Sequence, residues 1–290
     1  MARSSAAAAP PRVPVVLIAV VVAAAALLTT SPAFAIGNGV PDGDGHPNVG
    51  LLAVEEDGQR YFLCSGSYAG ARKDAPGAGV FLTAGHCVAW LPTSDNNTPD
   101  QLWVTFEPTV TIDDETDTVT AATWHQAKAV DFDPEFGHDH ANLKDYGVVL
   151  LTTTVDVPPV DLPTAGLLDR LAAQGALRPD TVFDNVGYGV IPSFKAGQPN
   201  YANPPGRMYS TSLFQALTPA YLRLLMNADA HDGNGGVCFG DSGSPKFIHR
   251  TNTVVAVTSG GDAICRAQNY NQRLDVADAR AFLGQYLQLP

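Results

Sequence analysis

From Val49 to Leu289 the apolar residues come in short runs broken by Gly, Pro, Asn and Asp. "VGLLAV" (49–54), "VFLTAG" (80–85), "LWVTF" (102–106), "YGVVLL" (146–151), "VFDNVGYGV" (182–190) and "VVAVTSG" (254–260) are examples. Short strands of this kind with turn signals between them predict an all-β sandwich or barrel. Two segments carry a helical period instead. One is "LLDRLAAQG" (167–175). The other is "DVADARAFLGQYL" (275–287), with Asp275 placed as N-cap and Val276, Ala279, Phe282 and Leu283 on one face. The Pro-rich "VDVPPVDLP" (155–163) reads as a linker between two halves, 36–155 and 156–290. "IPSFKAGQPNYANPPG" (191–206) reads as a long loop, and "DDETDT" (113–118) as an acidic surface turn.

The first 35 residues follow different rules. Arg3 and Arg12 precede or flank a 16-residue apolar run, "VPVVLIAVVVAAAALL" (13–28), and "AFA" (33–35) has the small-x-small form that signal peptidase cuts after. The run falls short of the roughly 20 residues a spanning helix needs. A cleaved leader over 1–35 is therefore expected, with Ile36 as the new N-terminus, an extracellular destination and no stable membrane association. There is no twin-Arg pair.

Charge narrows the partners. The formal net charge is −12, and removal of Arg3 and Arg12 leaves 15 basic against 29 acidic residues, or −14. A nucleic-acid-binding footprint is basic, so this class is excluded. Hydrophobic residues at 45% with only 16% charged fit a chain that buries a sizeable core. The four cysteines, Cys64, Cys87, Cys238 and Cys265, are an even count in an exported chain and suggest two disulfides. Three pairings are open on spacing alone. No C-x-x-C occurs, which argues against a thiolate metal site.

The chemistry concentrates in "VCFGDSGSP" (237–245). Gly and Ser make a poor helix and a poor strand interior, so this is a tight turn with Ser242 at its centre. A serine hydroxyl becomes a useful nucleophile only beside a base. "LTAGHC" (82–87) places His86 at the end of an apolar strand next to Cys87, and "KDYGVVLL" (144–151) places Asp145 just before another. The chain order is His86, Asp145, Ser242, with spacings of 59 and 97 residues. α/β-Hydrolases run Ser–acid–His and subtilisins Asp–His–Ser, and Ser242 lacks the G-x-S-x-G elbow.

These segments together resemble the chymotrypsin-like (trypsin-like) serine proteases of the secreted bacterial branch. "LTAGHC" is similar to T-A-A-H-C, "DYGVVLL" to D-[IL]-A-L-L, and "GDSGSP" to G-D-S-G-G-P. "CSG" (64–66) matches the strand of the first cysteine, and "GYG" (187–189) the G-W-G strand. "TSGG" (258–261) and "IGNG" (36–39) stand where S-W-G and I-V-G-G are usual. The resemblance implies two six-stranded antiparallel β-barrels with the site between them, and the disulfides 64–87 and 238–265. It implies Ser242 as nucleophile, His86 as general base and acid, Asp145 as orienting carboxylate, and the N–H groups of Gly240 and Ser242 as oxyanion hole. By the same register Gly236 is the floor of the primary pocket, with Val237, Ser259, Gly260 and Gly261 around it. An uncharged floor implies an apolar side chain, aromatic ones included, before the scissile bond. The family's activation pairing would join the Ile36 amine to Asp241.

Two departures stand out. Ser244 replaces the second Gly, at a cost of about 1 kcal/mol if its φ must be positive. Gly260 replaces the Trp that lines the substrate groove, which implies a more open wall. Elsewhere "HDH" (138–140) offers two imidazoles, and "PDGDGH" (41–46) and "DDETD" (113–117) offer carboxylates without EF-hand spacing, so solvated loops are expected. His125, His231 and His249 show no evident partner, and Asn96-Asn97-Thr98 is a glycosylation sequon without expected meaning. The expectation is a secreted serine endopeptidase needing no metal or other cofactor, with protein or peptide substrates. An esterase using the same triad and a non-catalytic binding homologue are the rival readings.

Overall fold

The computed structural model describes residues 35–91, 101–195 and 198–290. All but Ala35 of the expected leader, and the sequon at 96–98, lie outside the described residues. No helix among the described residues is long and apolar enough to cross a membrane.

After a short helical turn α1 (Ala35–Asn38) and a two-residue strand β1 (Val40–Pro41) come β2 (Val49–Glu56), β3 (Gln59–Arg72), β4 (Ala75–Thr83), the turn of helix α2 (Gly85–Val88) and β5 (Leu102–Thr105). The small hairpin β6–β7 (Thr111–Ile112, Val119–Thr120) precedes β8 (His125–Phe132) and β9 (Gly147–Leu151). Six of these close a barrel in the order β2-β3-β4-β9-β8-β5, paired antiparallel throughout. Helix α3 (Leu167–Ala173) leads into β10 (Val182–Gly187), β11 (Ile191–Lys195), β12 (Gln198–Ala202), β13 (Met208–Leu217), β14 (Tyr221–Leu225), β15 (Pro245–Ile248), β16 (Val254–Gly261), β17 (Gln268–Arg273) and helix α4 (Ala277–Leu283). The order β13-β10-β15-β16-β17-β14, with β14 pairing back onto β13, closes a second antiparallel barrel.

The continuous apolar runs follow from burial on both strand faces, which alternate along a strand. Phe81, Val149 and Leu151, with Leu52 and Val104, fill a core private to the first barrel. The intervening Val80, Leu82, Val148 and Leu150 join Val186, Phe247, Val254 and Val257 of the second barrel in a shared core. Leu168, Phe183, Leu222, Leu224 and Val255 form the second barrel's own cluster. "VFLT" and "GVVLL" are thus strands that separate one core from another.

Three expectations change. β1 belongs to the second barrel, where Val40 pairs with Tyr209, although it precedes the first barrel in sequence. The expected loop 191–206 contains the hairpin β11–β12, Ile191 pairing with Ala202. Asp275 does not cap α4, whose N-cap is Val276 without a side-chain bond. Its carboxylate accepts the Leu168 N–H at the start of α3 (2.8 Å) and both Nε and Nη2 of buried Arg273 (2.9 and 3.0 Å), because pairing that guanidinium outweighs one exposed cap. Helix α4 buries Ala279, Phe282 and Leu283, with Phe282 stacked on Tyr146 at 6.3 Å, so it rests on the shared core.

Candidate active site

His86 sits in the helical turn immediately after β4, and Asp145 immediately before β9. These strands are neighbours, Thr83 opposite Gly147, so residues distant in sequence meet at one barrel edge. The Cys64–Cys87 disulfide ties the turn to β3. Asp145 is 1% exposed. Its Oδ1 accepts the His86 backbone N–H at 2.8 Å and its Oδ2 lies 2.9 Å from His86 Nδ1. Ser259 Oγ donates to the same Oδ2 at 2.5 Å. Three polar groups therefore fix a buried carboxylate, and the imidazole is held by its Nδ1 with Nε2 left for other work.

Ser242 lies on the loop between β14 and β15. The first barrel grips this loop through one residue. Ser65 N donates to Ser242 O at 3.0 Å and Ser65 Oγ donates to Gly240 O at 2.9 Å. Gly243, at φ 78°, packs so closely that a Cβ there would run into Thr83 Oγ1, Ala84 N and Ser65 O, the segment just before His86. That contact brings the serine loop to the histidine turn. The Ser242 hydroxyl makes no hydrogen bond with His86 among the described residues. Unliganded sites are often looser than their complexes in this respect. Neither the Gly240 N–H nor the Ser242 N–H finds an acceptor among the described residues, so two donors stand free beside the hydroxyl. The second disulfide, Cys238–Cys265, anchors the loop's start.

Asp241 turns away from the cleft. It is 0% exposed, and its carboxylate accepts Gly189 N at 2.9 Å and Cys238 N at 2.9 Å. Any side chain on Gly187 or Gly189 would collide with it. Ser244 is not at positive φ, so the strain anticipated for that substitution does not arise; the left-handed positions are Gly240 and Gly243. Ser244 is buried, with its Oγ 2.8 Å from Thr258 Oγ1. The backbone of Ile36 lies in α1, and the adjoining Gly37 O accepts the N–H of Gly236 at 3.1 Å.

A cavity of about 230 Å³ opens beside Ser242, lined by Val237, Gly260, Gly261 and Asp262, the Cys238–Cys265 bridge and Tyr270. Gly236 is not on its wall. Met226 packs against the position a Gly236 Cβ would take, and its Cε also approaches Gly261, so a thioether backs this end of the cavity. Ser259 is likewise not on the wall, being engaged by Asp145. The wall at Gly260 is not open, because the Tyr270 hydroxyl occupies the space a side chain there would need. Asp262 reaches the cavity, but its carboxylate accepts the N–H groups of Arg266, Ala267 and Gln268. Burial pushes this carboxyl up, and those N–H groups outweigh it and leave it below the ordinary range.

Sequence reasoning did not single out Ser65, Tyr270 or Met226. Only Ser65 carried a local signal, as the neighbour of Cys64. Two of the histidines read as unpartnered do have partners: His249 Nδ1 lies 2.6 Å from Asp184 and His231 Nδ1 2.7 Å from Asp232 O, while the His125 ring packs edge-on against Phe106. His46 Nδ1 lies 2.6 Å from Asp42, within the 41–46 loop that buried Arg207 also clamps through Asp42 at 2.7 Å. His138 faces Glu135 at 3.6 Å on the surface.

A family model described as Trypsin matches residues 46–281. The chain belongs to the trypsin family. It is accordingly a serine endopeptidase, a hydrolase acting on peptide or protein substrates. Solved structures share the two-barrel fold at low identity. HL collagenase matches at 16% identity and a TM-score of 0.57, over 86% of this chain and 97% of that one. The Vibrio cholerae VesB protease matches at 16% and 0.54, over 86% and 66%. A mutant of human heparin binding protein (CAP37) matches at 17% and 0.54, over 86% and 95%. No curated protein matches the chain. The trypsin-family fold places the described cleft between its barrels, and the two disulfides fit an extracellular protein.

Proposed function

We propose that this trypsin-family chain is a secreted endopeptidase working through His86, Asp145 and Ser242. The observation that carries the reading is the thrice-bonded Asp145 holding His86 by Nδ1 on the same edge to which Gly243 draws the serine loop. Ser242 Oγ attacks the carbonyl carbon while His86 Nε2 takes its proton. The tetrahedral oxyanion lies against the N–H groups of Gly240 and Ser242. The imidazolium then protonates the leaving amine, and water repeats the sequence on the acyl-enzyme. Asp145 keeps the proton on Nδ1 throughout, so Nε2 begins each cycle able to accept.

The side chain before the scissile bond enters the cavity beside Ser242. Its lining is Val237, the disulfide, two glycines and the Tyr270 ring, and its one acid is spent on three backbone N–H groups. Phe, Tyr and Leu are therefore favoured over Arg and Lys. The name of the heparin binding protein speaks of a binding role on this fold, but 29 acidic against 17 basic residues make this chain a poor match for a polyanion. A peptide library tests the reading: cleavage after apolar residues supports it. Cleavage after Arg or Lys would mean that Asp262 is available, and hydrolysis of small esters alone would make the chain an esterase.

A further inference from the structure

The two N–H groups of the proposed oxyanion hole must aim at one point. A peptide unit is planar, so each N–H is aimed by whatever holds the carbonyl of its own unit. The Gly240 N–H shares a unit with Phe239 O, which accepts Val190 N at 2.8 Å. The Ser242 N–H shares a unit with Asp241 O, which accepts Ser244 N at 2.9 Å. Between them stands the unit that joins Gly240 to Asp241. Its carbonyl accepts no backbone N–H among the described residues, and Gly240, at φ 91°, has no side chain to limit its rotation. The Ser65 hydroxyl supplies the missing hold, donating to Gly240 O at 2.9 Å.

Ser65 is 0% exposed on β3, and every polar group it has is engaged. Its N–H donates to Ser242 O at 3.0 Å. Its carbonyl accepts Thr83 Oγ1 at 2.8 Å, just before the His86 turn. Its hydroxyl, besides donating to Gly240 O, accepts Tyr188 N at 3.1 Å. Tyr188 is fixed in turn, since its own hydroxyl donates to Glu107 O at 2.7 Å. The successive N–H groups of Tyr188, Gly189 and Val190 thus all hold the serine loop. Val190 reaches Phe239 O and Gly189 reaches the Asp241 carboxylate directly. Tyr188 reaches Gly240 O only through the Ser65 hydroxyl. Without that hydroxyl a buried N–H and a loop carbonyl both lose their partners, which costs more than one neutral hydrogen bond is worth.

We propose that Ser65 is a positioning residue for the oxyanion hole. Its hydroxyl relays the Tyr188 N–H to the Gly240 carbonyl and so locks the middle peptide unit between the two donors. Its backbone ties the same loop to the segment that carries His86, so one residue sets nucleophile, oxyanion donors and base relative to each other. This rests on the endopeptidase reading above.

The test compares the chain beginning at Ile36 with its Ser65→Ala variant on the peptide that a library shows to be cut fastest. Measured are kcat, KM, a thermal melt, and the Ki of a trifluoromethyl ketone built on the same peptide. The hemiketal oxygen of that inhibitor needs both N–H groups, whereas substrate binding measured by KM depends on them little. Ser65→Ala should lower kcat at least about tenfold, less than the roughly 10²- to 10³-fold that follows outright loss of a donor. KM should stay within about threefold, and the ketone Ki should rise by about the factor that kcat loses. A merely structural serine would lower the melt and leave kcat and Ki of the folded variant at parental values; that result overturns the proposal. A second measurement needs no variant. In the parent chain the Ser65 hydroxyl proton should exchange slowly enough to give its own NMR signal, with a cross-relaxation contact to the Tyr188 amide. A hydroxyl proton in fast exchange with water overturns the relay even if Ser65→Ala does not fold. A parent chain inert to both peptides and phosphonate would overturn the endopeptidase reading instead.

Discussion

Asp145→Asn replaces one carboxylate oxygen with an amide NH2 and should remove nearly all turnover. In the structure Oδ1 accepts a backbone N–H from His86, while Oδ2 faces His86 Nδ1 and the Ser259 hydroxyl. The backbone donor cannot reverse its role, so the asparagine oxygen takes the Oδ1 position. Its amide then stands at Oδ2 and donates to Nδ1. The Ser259 hydroxyl can rotate to accept, but the imidazole must move its proton to Nε2, the nitrogen that has to accept from Ser242. The wrong tautomer has been worth about 10⁴ in kcat in enzymes of this type, about 5.4 kcal/mol of barrier. The fold should lose little, since the backbone contact is kept and the other two survive with reversed polarity. Initial rates on one apolar-site peptide, alongside a thermal melt, measure both quantities. A folded variant within tenfold of the parent would refute the assignment of Asp145.

Other sites give independent checks. Gly243→Ala forces a side chain at φ 78° into Thr83, Ala84 and Ser65; activity should disappear and the melting temperature should drop by several degrees, and an unchanged melt would refute the close approach. Tyr270→Ala uncovers Gly260, so the ratio of kcat/KM for bulky over small apolar residues should rise, read from paired Phe and Ala peptides. Replacing Cys64 and Cys87 by Ala opens a link with a separation of 23 residues and should cost about 3 kcal/mol in urea unfolding. Burial pushes the Asp42 carboxyl up, but hydrogen bonds from His46 and Arg207 outweigh it and hold it below its ordinary value. Its contribution to stability is therefore present above the ordinary carboxylate pKa and is lost as pH falls through the lower folded one; urea midpoints from pH 6 to pH 2 should show less acid loss in Asp42→Asn than in the parent.

The all-β class was legible because apolar runs end at Gly, Pro and Asn. The barrel walls were readable as strands, although periodicity alone could not tell that "VFLT" serves two cores. Strand β17, "QNYNQR", carries no such signal. Asn269, Asn271, Gln272 and Arg273 are buried, and three of them meet distant partners such as Leu222 O, Tyr146 and Asp169, which no local pattern reports. The same limit explains Asp275, read as a cap for α4 and found accepting the Leu168 N–H at the start of α3. Hairpin β11–β12 hid behind its prolines. At the site, His86, Asp145 and Ser242 could be picked out by motif and order. Ser259 was named for the wrong wall, since its partner lies 114 positions away. Tyr270 of β17 and Met226 at the end of β14 shape the cavity through side chains that no local motif announces.

The central claim is that Ser242 is a nucleophile activated by the assembled site. Incubation of the folded chain with a peptidyl phosphonate bearing an apolar side chain, followed by mass mapping, tests it most directly. The account predicts one covalent adduct per chain, on Ser242, formed at a rate that Asp145→Asn lowers by orders of magnitude. No adduct on folded protein, or an adduct on another residue that forms equally fast in Asp145→Asn, would contradict it.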